Sequence, residues 1–71
     1  MKQTQPSTQV RMLRLDSVRQ VTGLSRDSIY RLAREGDFPR PRKLAGRASG
    51  WRSDEIDTWI ANRPFAGGDA A

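Results

Sequence analysis

The fold of this chain is constrained most by two short apolar segments that lie only a few residues apart. Each of them is followed by a glycine. In the first segment Val18 and Val21 lie three residues apart on one helical face, and Asp16 is placed to act as the N-cap. Gly23 can adopt the left-handed conformation that ends such a helix, because it has no Cβ. The sequence therefore predicts a first helix that begins at Asp16 and ends at Gly23.

A second helix is predicted directly afterwards. Ser25 is its expected N-cap and Gly36 ends it, while Ile29, Leu32 and Ala33 have the i, i+3, i+4 spacing of a buried stripe. So short a turn remains between the two helices that they cannot lie antiparallel over much length. They are expected to cross steeply, as in a helix-turn-helix.

The segment that follows predicts a small β-hairpin. Pro39 and Pro41 exclude helix there and favour extended backbone. Residues 42–44 and 50–52 can then pair around the stretch AGRAS, which begins at Ala45.

A third helix is expected after the hairpin, with Ser53 as its N-cap and Pro64 as its stop. Asp54, Glu55 and Asp57 lie in its first turns, where the helix dipole favours anions. The predicted fold class is mainly α with a small β-hairpin, in the order helix, tight turn, helix, hairpin, helix.

Residues 11–64 form the single predicted domain, preceded by a disordered leader at 1–10 and followed by a flexible tail at 65–71. The predicted core consists of Leu15, Val18, Val21, Leu24, Ile29, Leu32, Phe38, Leu44, Trp51, Ile56, Trp59 and Ile60.

Composition narrows the range of functions. The chain has no cysteine and no histidine, which removes disulfides, imidazole-based nucleophiles and nearly all zinc sites. We therefore expect that the protein is not an enzyme and that it binds no cofactor. No apolar run is long enough to cross a membrane, so the expected location is the cytoplasm.

Lys and Arg total 13 against 8 Asp and Glu, giving a net charge of +5. Most of these cations are arginine, which suits phosphates and guanine edges.

Two of the three arginines of the second helix point away from its predicted core, while Arg26 lies nearer the inner side. With Ile29 at the centre of the buried face, steps of about 100° place Arg34 at roughly 140° and Arg31 at roughly 200°. Arg26 lies in the first turn, where backbone N–H groups can also meet a phosphate. A solvated face with an Asp27–Arg31 pair would explain the same pattern.

The hairpin favours a polyanion-binding surface over a merely solvated one, because residues 38–53 contain five basic residues and no acidic one. A hairpin beside a crossed helix pair is the shape of a winged helix-turn-helix, whose second helix enters the major groove while the wing follows the backbone or minor groove. Tyr30 suits packing and phosphate binding equally well, whereas Arg11, Arg14 and Arg19 are assigned to background charge. The candidate DNA-binding residues are Ser25, Arg26, Ser28, Tyr30, Arg31, Arg34, Lys43, Arg47 and Arg52.

The stretches TGLSRDSIYRL, GDFPRP and GWRSDEIDTWI occur in an order and spacing that resemble the AlpA family of prophage regulators. That family is related to phage excisionases and to the DNA-binding half of MerR-type activators, and the resemblance covers residues 12–64. It implies a winged helix-turn-helix protein that binds double-stranded DNA and activates integrase or excision genes. It also implies that residues 25–34 form the recognition helix and that AGRASGW, with Arg47, forms the wing.

Three alternatives remain open at this point. The first is an excisionase-type factor that bends DNA, and the second is an RNA-binding module. The third is a protein-interaction domain such as an antirepressor. The expected partners are an operator or attachment-site duplex, further copies of the chain on DNA, and RNA polymerase or a recombinase.

Overall fold

The structure, a computed structural model, describes residues 9–66. The predicted leader, apart from its last two residues, and the tail beyond residue 66 lie outside the described residues. Three helices and a three-stranded antiparallel sheet make up this part of the chain. In chain order the elements are β1 (Met12–Leu13), α1 (Leu15–Thr22), α2 (Arg26–Glu35), β2 (Arg42–Ala45), β3 (Ala48–Arg52) and α3 (Ser53–Ala61).

The fold class is confirmed. Two short helices follow each other across a tight turn, the β2–β3 hairpin projects after them, and α3 completes the domain. This small mixed domain is compatible with a winged helix-turn-helix in which α2 is the second helix and the β2–β3 hairpin, here named the wing, takes the wing position.

The predicted ends of the first two helices are confirmed by their backbone geometry. Gly23 has φ 78° and Gly36 has φ 87°, both in the left-handed region that glycine adopts without strain. Ser25 is the N-cap of α2, and its Oγ accepts the Ser28 N–H at 3.2 Å.

Two other predicted caps are wrong. The N-cap of α1 is Arg14, whose carbonyl accepts the Val18 N–H at 3.0 Å, so Asp16 lies inside the first turn. The N-cap of α3 is Arg52, and Ser53 is the first helical residue. Ser53 makes its hydrogen bonds with the chain before β1 instead. Its Oγ accepts the Arg11 N–H at 2.8 Å, and its own N–H donates to the Arg11 carbonyl at 2.7 Å.

The sheet contains one strand more than the predicted hairpin. β3 lies in the middle, with Met12 opposite Arg52 and Leu13 opposite Trp51 on the β1 side. On the β2 side Lys43 is opposite Ser49, and an irregularity follows between Lys43 and Ala45. β1 is only two residues long, so it has no alternation by which its sequence could reveal it.

The core lies between the helices and one face of the sheet. Its fully buried members are Val18, Ile29, Trp51 and Ile56, with Phe38 and Ala33 beside them. Leu15, Leu24, Leu32 and Trp59 are half-buried against this cluster. The predicted core positions Val21, Leu44 and Ile60 are wrong, because each is exposed. Leu44 lies on the sheet face opposite Trp51, in an open cleft with Val10 and Met12.

Both tryptophans have structural roles, as predicted. The Trp51 indole N–H donates to the Pro39 carbonyl at 2.8 Å, and that of Trp59 donates to the Asp37 carbonyl at 2.6 Å. Trp59 also meets Phe38 edge to face, with 4.7 Å between ring centroids. Within residues 9–66, no helix has the length and apolar character needed to cross a membrane.

Candidate nucleic-acid interface

α2 presents a row of basic side chains to solvent. Arg26, Arg31 and Arg34 are exposed, whereas Ile29 and Ala33 are buried, and Arg31 and Arg34 lie on the side opposite Ile29. Residues four apart lie one above the other on a helix, so Arg26, Tyr30 and Arg34 form a single row along α2. The Arg26 guanidinium lies over the Tyr30 ring, 5.8 Å from its centroid, which strengthens this row.

Tyr30 connects the row to the wing. Its ring packs at a tilt against Trp51 of β3, with 5.9 Å between centroids, and the side chain is half-buried. The packing role considered for Tyr30 is therefore present. The exposed part of the side chain remains available to a ligand.

Ser25 and Ser28 order the first turn of α2. In addition to the cap on the Ser28 N–H, the Ser25 hydroxyl donates to Ser28 Oγ at 3.1 Å. This pair fixes the start of the helix next to Arg26. Both hydroxyls lie near the surface, beside the first-turn N–H groups that α2 does not use.

The wing carries its cations near its tip. Gly46 has φ 53°, which closes the turn between β2 and β3, and the exposed Arg47 follows it. Lys43, also exposed, lies opposite Ser49. Side chains alternate along a strand, so Ser49 and Lys43 share the sheet face of Trp51, which is the face toward α2.

An open cleft of about 430 Å³ joins α1, α2 and the wing. Its lining residues are Arg14, Leu15, Asp16, Tyr30, Arg47, Ser49 and Trp51. Arg14 was assigned to background charge, and the structure instead places it in the same cleft as Arg47. The sequence contained no signal for this, because the approach depends on β1 pairing with β3.

Arg52 does not belong to this surface. It lies on the opposite sheet face, where its Nε and Nη2 donate to the two carboxylate oxygens of Asp54 at 3.0 and 2.9 Å. This hydrogen bond raises the pKa of Arg52 further and holds the pKa of Asp54 below its usual range. Arg42 is engaged in the same way, with Nη2 donating to Glu55 at 2.6 Å. The structure therefore gives both arginines structural partners on α3.

Among residues 9–66, the other basic residues of the surface form no ion pair with a carboxylate. The ion pairs of residues 9–66 are Arg19–Asp16, Arg42–Glu55 and Arg52–Asp54. The Asp27–Arg31 pair that would explain the basic face of α2 as a solvated surface is not among them. In the described part of the chain, no cluster of three metal-binding side chains occurs. Chemically, the surface offers guanidinium donors from three elements to one polyanion.

Comparison with known proteins gives the same family as the sequence motifs. The family model described as "Prophage CP4-57 regulatory protein (AlpA)" matches residues 11–64. The DNA-binding transcriptional activator AlpA of Escherichia coli K12 is 38% identical over 60 residues, covering 76% of this chain and 86% of that protein.

A second relative is the uncharacterized protein ORF88 of Enterobacteria phage P4. It is 43% identical over 56 residues, which cover 79% of this chain and only 64% of the phage protein. The match of the family model over most of the chain shows that the protein belongs to the AlpA family.

Proposed function

We propose that this protein is a sequence-specific double-stranded DNA-binding regulator of transcription in a prophage or mobile element, acting in the cytoplasm. The E. coli relative is a DNA-binding transcriptional activator, and the matching family is described as a prophage regulatory protein. We further propose that it activates integrase or excision genes. The observation that carries the DNA-binding proposal is the cationic surface shared by α2, the wing and the start of α1.

In this proposal α2 enters the major groove, which is about 12 Å wide and admits one α-helix. Arg31 and Arg34 point away from the core and form none of the ion pairs found in residues 9–66, so they are the candidates for reading bases. A bidentate arginine–guanine pair contributes about 1–3 kcal/mol of discrimination. Arg26, Ser25 and Ser28 lie around the helix start and suit a phosphate.

The wing follows the DNA backbone or the minor groove beside α2. Arg47 near its tip and Lys43 on the face toward α2 are its contact residues. Arg52 is left out of this set because Asp54 occupies its guanidinium. One domain of this size covers only a few base pairs, so we propose that two or more copies bind one regulatory site.

Selection of duplexes from a random-sequence DNA pool tests the proposal. We expect a short enriched motif, repeated at a fixed spacing when copies bind together. The selected duplex should also outcompete RNA of the same sequence in a mobility-shift gel. Retention of DNA without any enriched motif would remove sequence specificity, and preference for the RNA would replace this function with the RNA-binding alternative.

Salt dependence provides a second readout of the same proposal. Each phosphate contact contributes a slope of about −0.9 to the logarithm of affinity against the logarithm of salt concentration, and we expect about four to six contacts. A protein-interaction module such as an antirepressor would show no salt-dependent affinity for the duplex.

A further inference from the structure

The cleft between α1, α2 and the wing contains one arginine that a recognition helix and a wing do not supply. Arg14 comes from the start of α1, and Arg47 comes from the tip of the wing. We propose that Arg14 and Arg47 together hold one phosphodiester group of the DNA backbone in this cleft. The proposal rests on the DNA-binding function above and adds a subsite to it.

The two guanidinium groups are available for this ligand. Both side chains are exposed, and neither takes part in the ion pairs found in residues 9–66. Each carries five N–H donors in a planar fork, which matches the oxygens of a phosphate. Ser49 on the same wall of the wing adds a hydroxyl.

The remaining lining favours a phosphate over a base. Trp51 is fully buried and its indole N–H already donates to the Pro39 carbonyl, so Trp51 has no donor left to read a base edge. Tyr30 forms the α2 side. The cleft therefore combines cationic walls with an aromatic base, and its volume of about 430 Å³ is open to solvent.

Among residues 9–66, Asp16 is the one carboxylate that lines this cleft. Its side chain is 89% exposed, and its Oδ1 lies 3.8 Å from Arg19 Nη1, a partner that screens it only weakly. A phosphate held nearby is repelled by this charge. Removing the carboxylate should therefore strengthen DNA binding, which is a direction of change that damage to the fold cannot produce.

The test measures fluorescence anisotropy of a labelled duplex with wild-type protein, Arg14→Gln and Arg11→Gln. We expect Arg14→Gln to bind about tenfold more weakly, the order of one charge-assisted hydrogen bond, with a salt slope smaller by about 0.9. Arg14 makes no side-chain hydrogen bond to the start of α1, so the helix should persist. Arg11→Gln removes the same charge beside a different cleft and should leave the slope nearly unchanged.

Neutral methylphosphonate linkages placed one at a time in the duplex locate the contact. One neutral linkage should weaken binding by the wild-type protein relative to the unmodified duplex. The same linkage should leave the affinity of Arg14→Gln unchanged, because that variant has already lost the contact. Asp16→Asn should bind more tightly than wild type, whereas Asp57→Asn, beside the cleft of Arg11, should not. Inorganic phosphate at constant ionic strength should not compete, because the subsite recognises a phosphodiester already held by α2.

The outcomes separate this subsite from the function on which it rests. If wild-type protein does not retain any duplex, both the function and the subsite fail. If wild-type protein binds but Arg14→Gln and Arg11→Gln have equal affinities and slopes, the subsite is wrong and the function stands. Equal sensitivity of wild type and Arg14→Gln at every neutral linkage would lead to the same conclusion.

Discussion

At the residue scale, a nearby carboxylate separates the arginines that bind within the protein from those available to a ligand. Arg47 and Arg52 look alike in the sequence, since both belong to a basic hairpin with no acidic residue. In the structure Arg47 lines the cleft, whereas Arg52 is held by Asp54 on the other sheet face. The difference could not be predicted, because Asp54 was explained fully by its place at the start of a helix.

The Arg52–Asp54 pair predicts a specific dependence of stability on pH. The pKa of Asp54 is lowered in the folded protein, chiefly by its hydrogen bond from Arg52. The pair therefore stabilises the fold above the ordinary carboxyl pKa of about 3.9, and this contribution is lost as pH falls through the lower folded value. We expect Asp54→Asn to lower the melting temperature at pH 7 and to converge with wild type in acid.

Thermal unfolding between neutral pH and about pH 2 measures this effect, with Asp27→Asn as a control for net charge. Asp27 forms none of the ion pairs found in residues 9–66. A gap between wild type and Asp54→Asn that stays constant into acid would show that the carboxylate does not act through ionisation.

At the element scale, prediction succeeded where several local signals agreed. Ser25, the apolar stripe and Gly36 all marked α2, and its observed bounds follow them. The signals failed where a long-range pairing decided the outcome. Ser53 has the residue type and position of a cap, yet it bonds to Arg11, 42 residues away, because β1 lies beside β3. No local pattern contains that information, and the position of Arg14 follows from the same pairing.

The Ser25 cap gives a prediction for α2. We expect Ser25→Ala to lower the free energy of unfolding by about 1 kcal/mol, because the Ser28 N–H loses its acceptor. Ser25→Asn, which keeps a capping oxygen, should remain close to wild type. Urea unfolding followed by circular dichroism measures both variants. Equal losses for alanine and asparagine would mean that the hydroxyl acts outside the cap.

Gly50 gives a prediction for the sheet. A Cβ at this position would lie 2.8 Å from the Leu13 carbonyl oxygen of β1 and 3.3 Å from Leu44 Cδ1. The first contact involves backbone and cannot be relieved by a side-chain rotation. We therefore expect Gly50→Ala to lower the free energy of unfolding by about 1–3 kcal/mol.

Addition of Leu44→Ala separates the two contacts at Gly50. The double variant should not recover the stability lost in Gly50→Ala, because the Leu13 carbonyl remains in place. If the double variant regains the free energy of unfolding lost in Gly50→Ala, the clash is with the Leu44 side chain. The Leu13 carbonyl of β1 would then not be what requires glycine at position 50.

At the scale of the whole molecule, the fold divides its arginines between two faces of the sheet. Arg42 and Arg52 bind the carboxylates of α3 on one side, which offsets the charges of these two arginines. On the other side, Arg14 at the start of α1 and Arg47 near the wing tip line one cleft, and α2, whose Tyr30 lines the same cleft, carries exposed arginines. The net charge indicates an anionic partner in general. The division between faces gives that partner a defined place to bind.

The most direct test of this account compares two double variants that remove the same charge. Arg31→Ala with Arg34→Ala strips the exposed face of α2, whereas Arg11→Ala with Arg40→Ala removes two exposed arginines that line other clefts. The dissociation constant of each variant is measured on the selected duplex at one salt concentration. We predict a loss of at least about a hundredfold for the first pair, the order of two charge-assisted hydrogen bonds, and less than about threefold for the second. Equal losses for the two pairs would contradict a defined DNA-binding surface on α2.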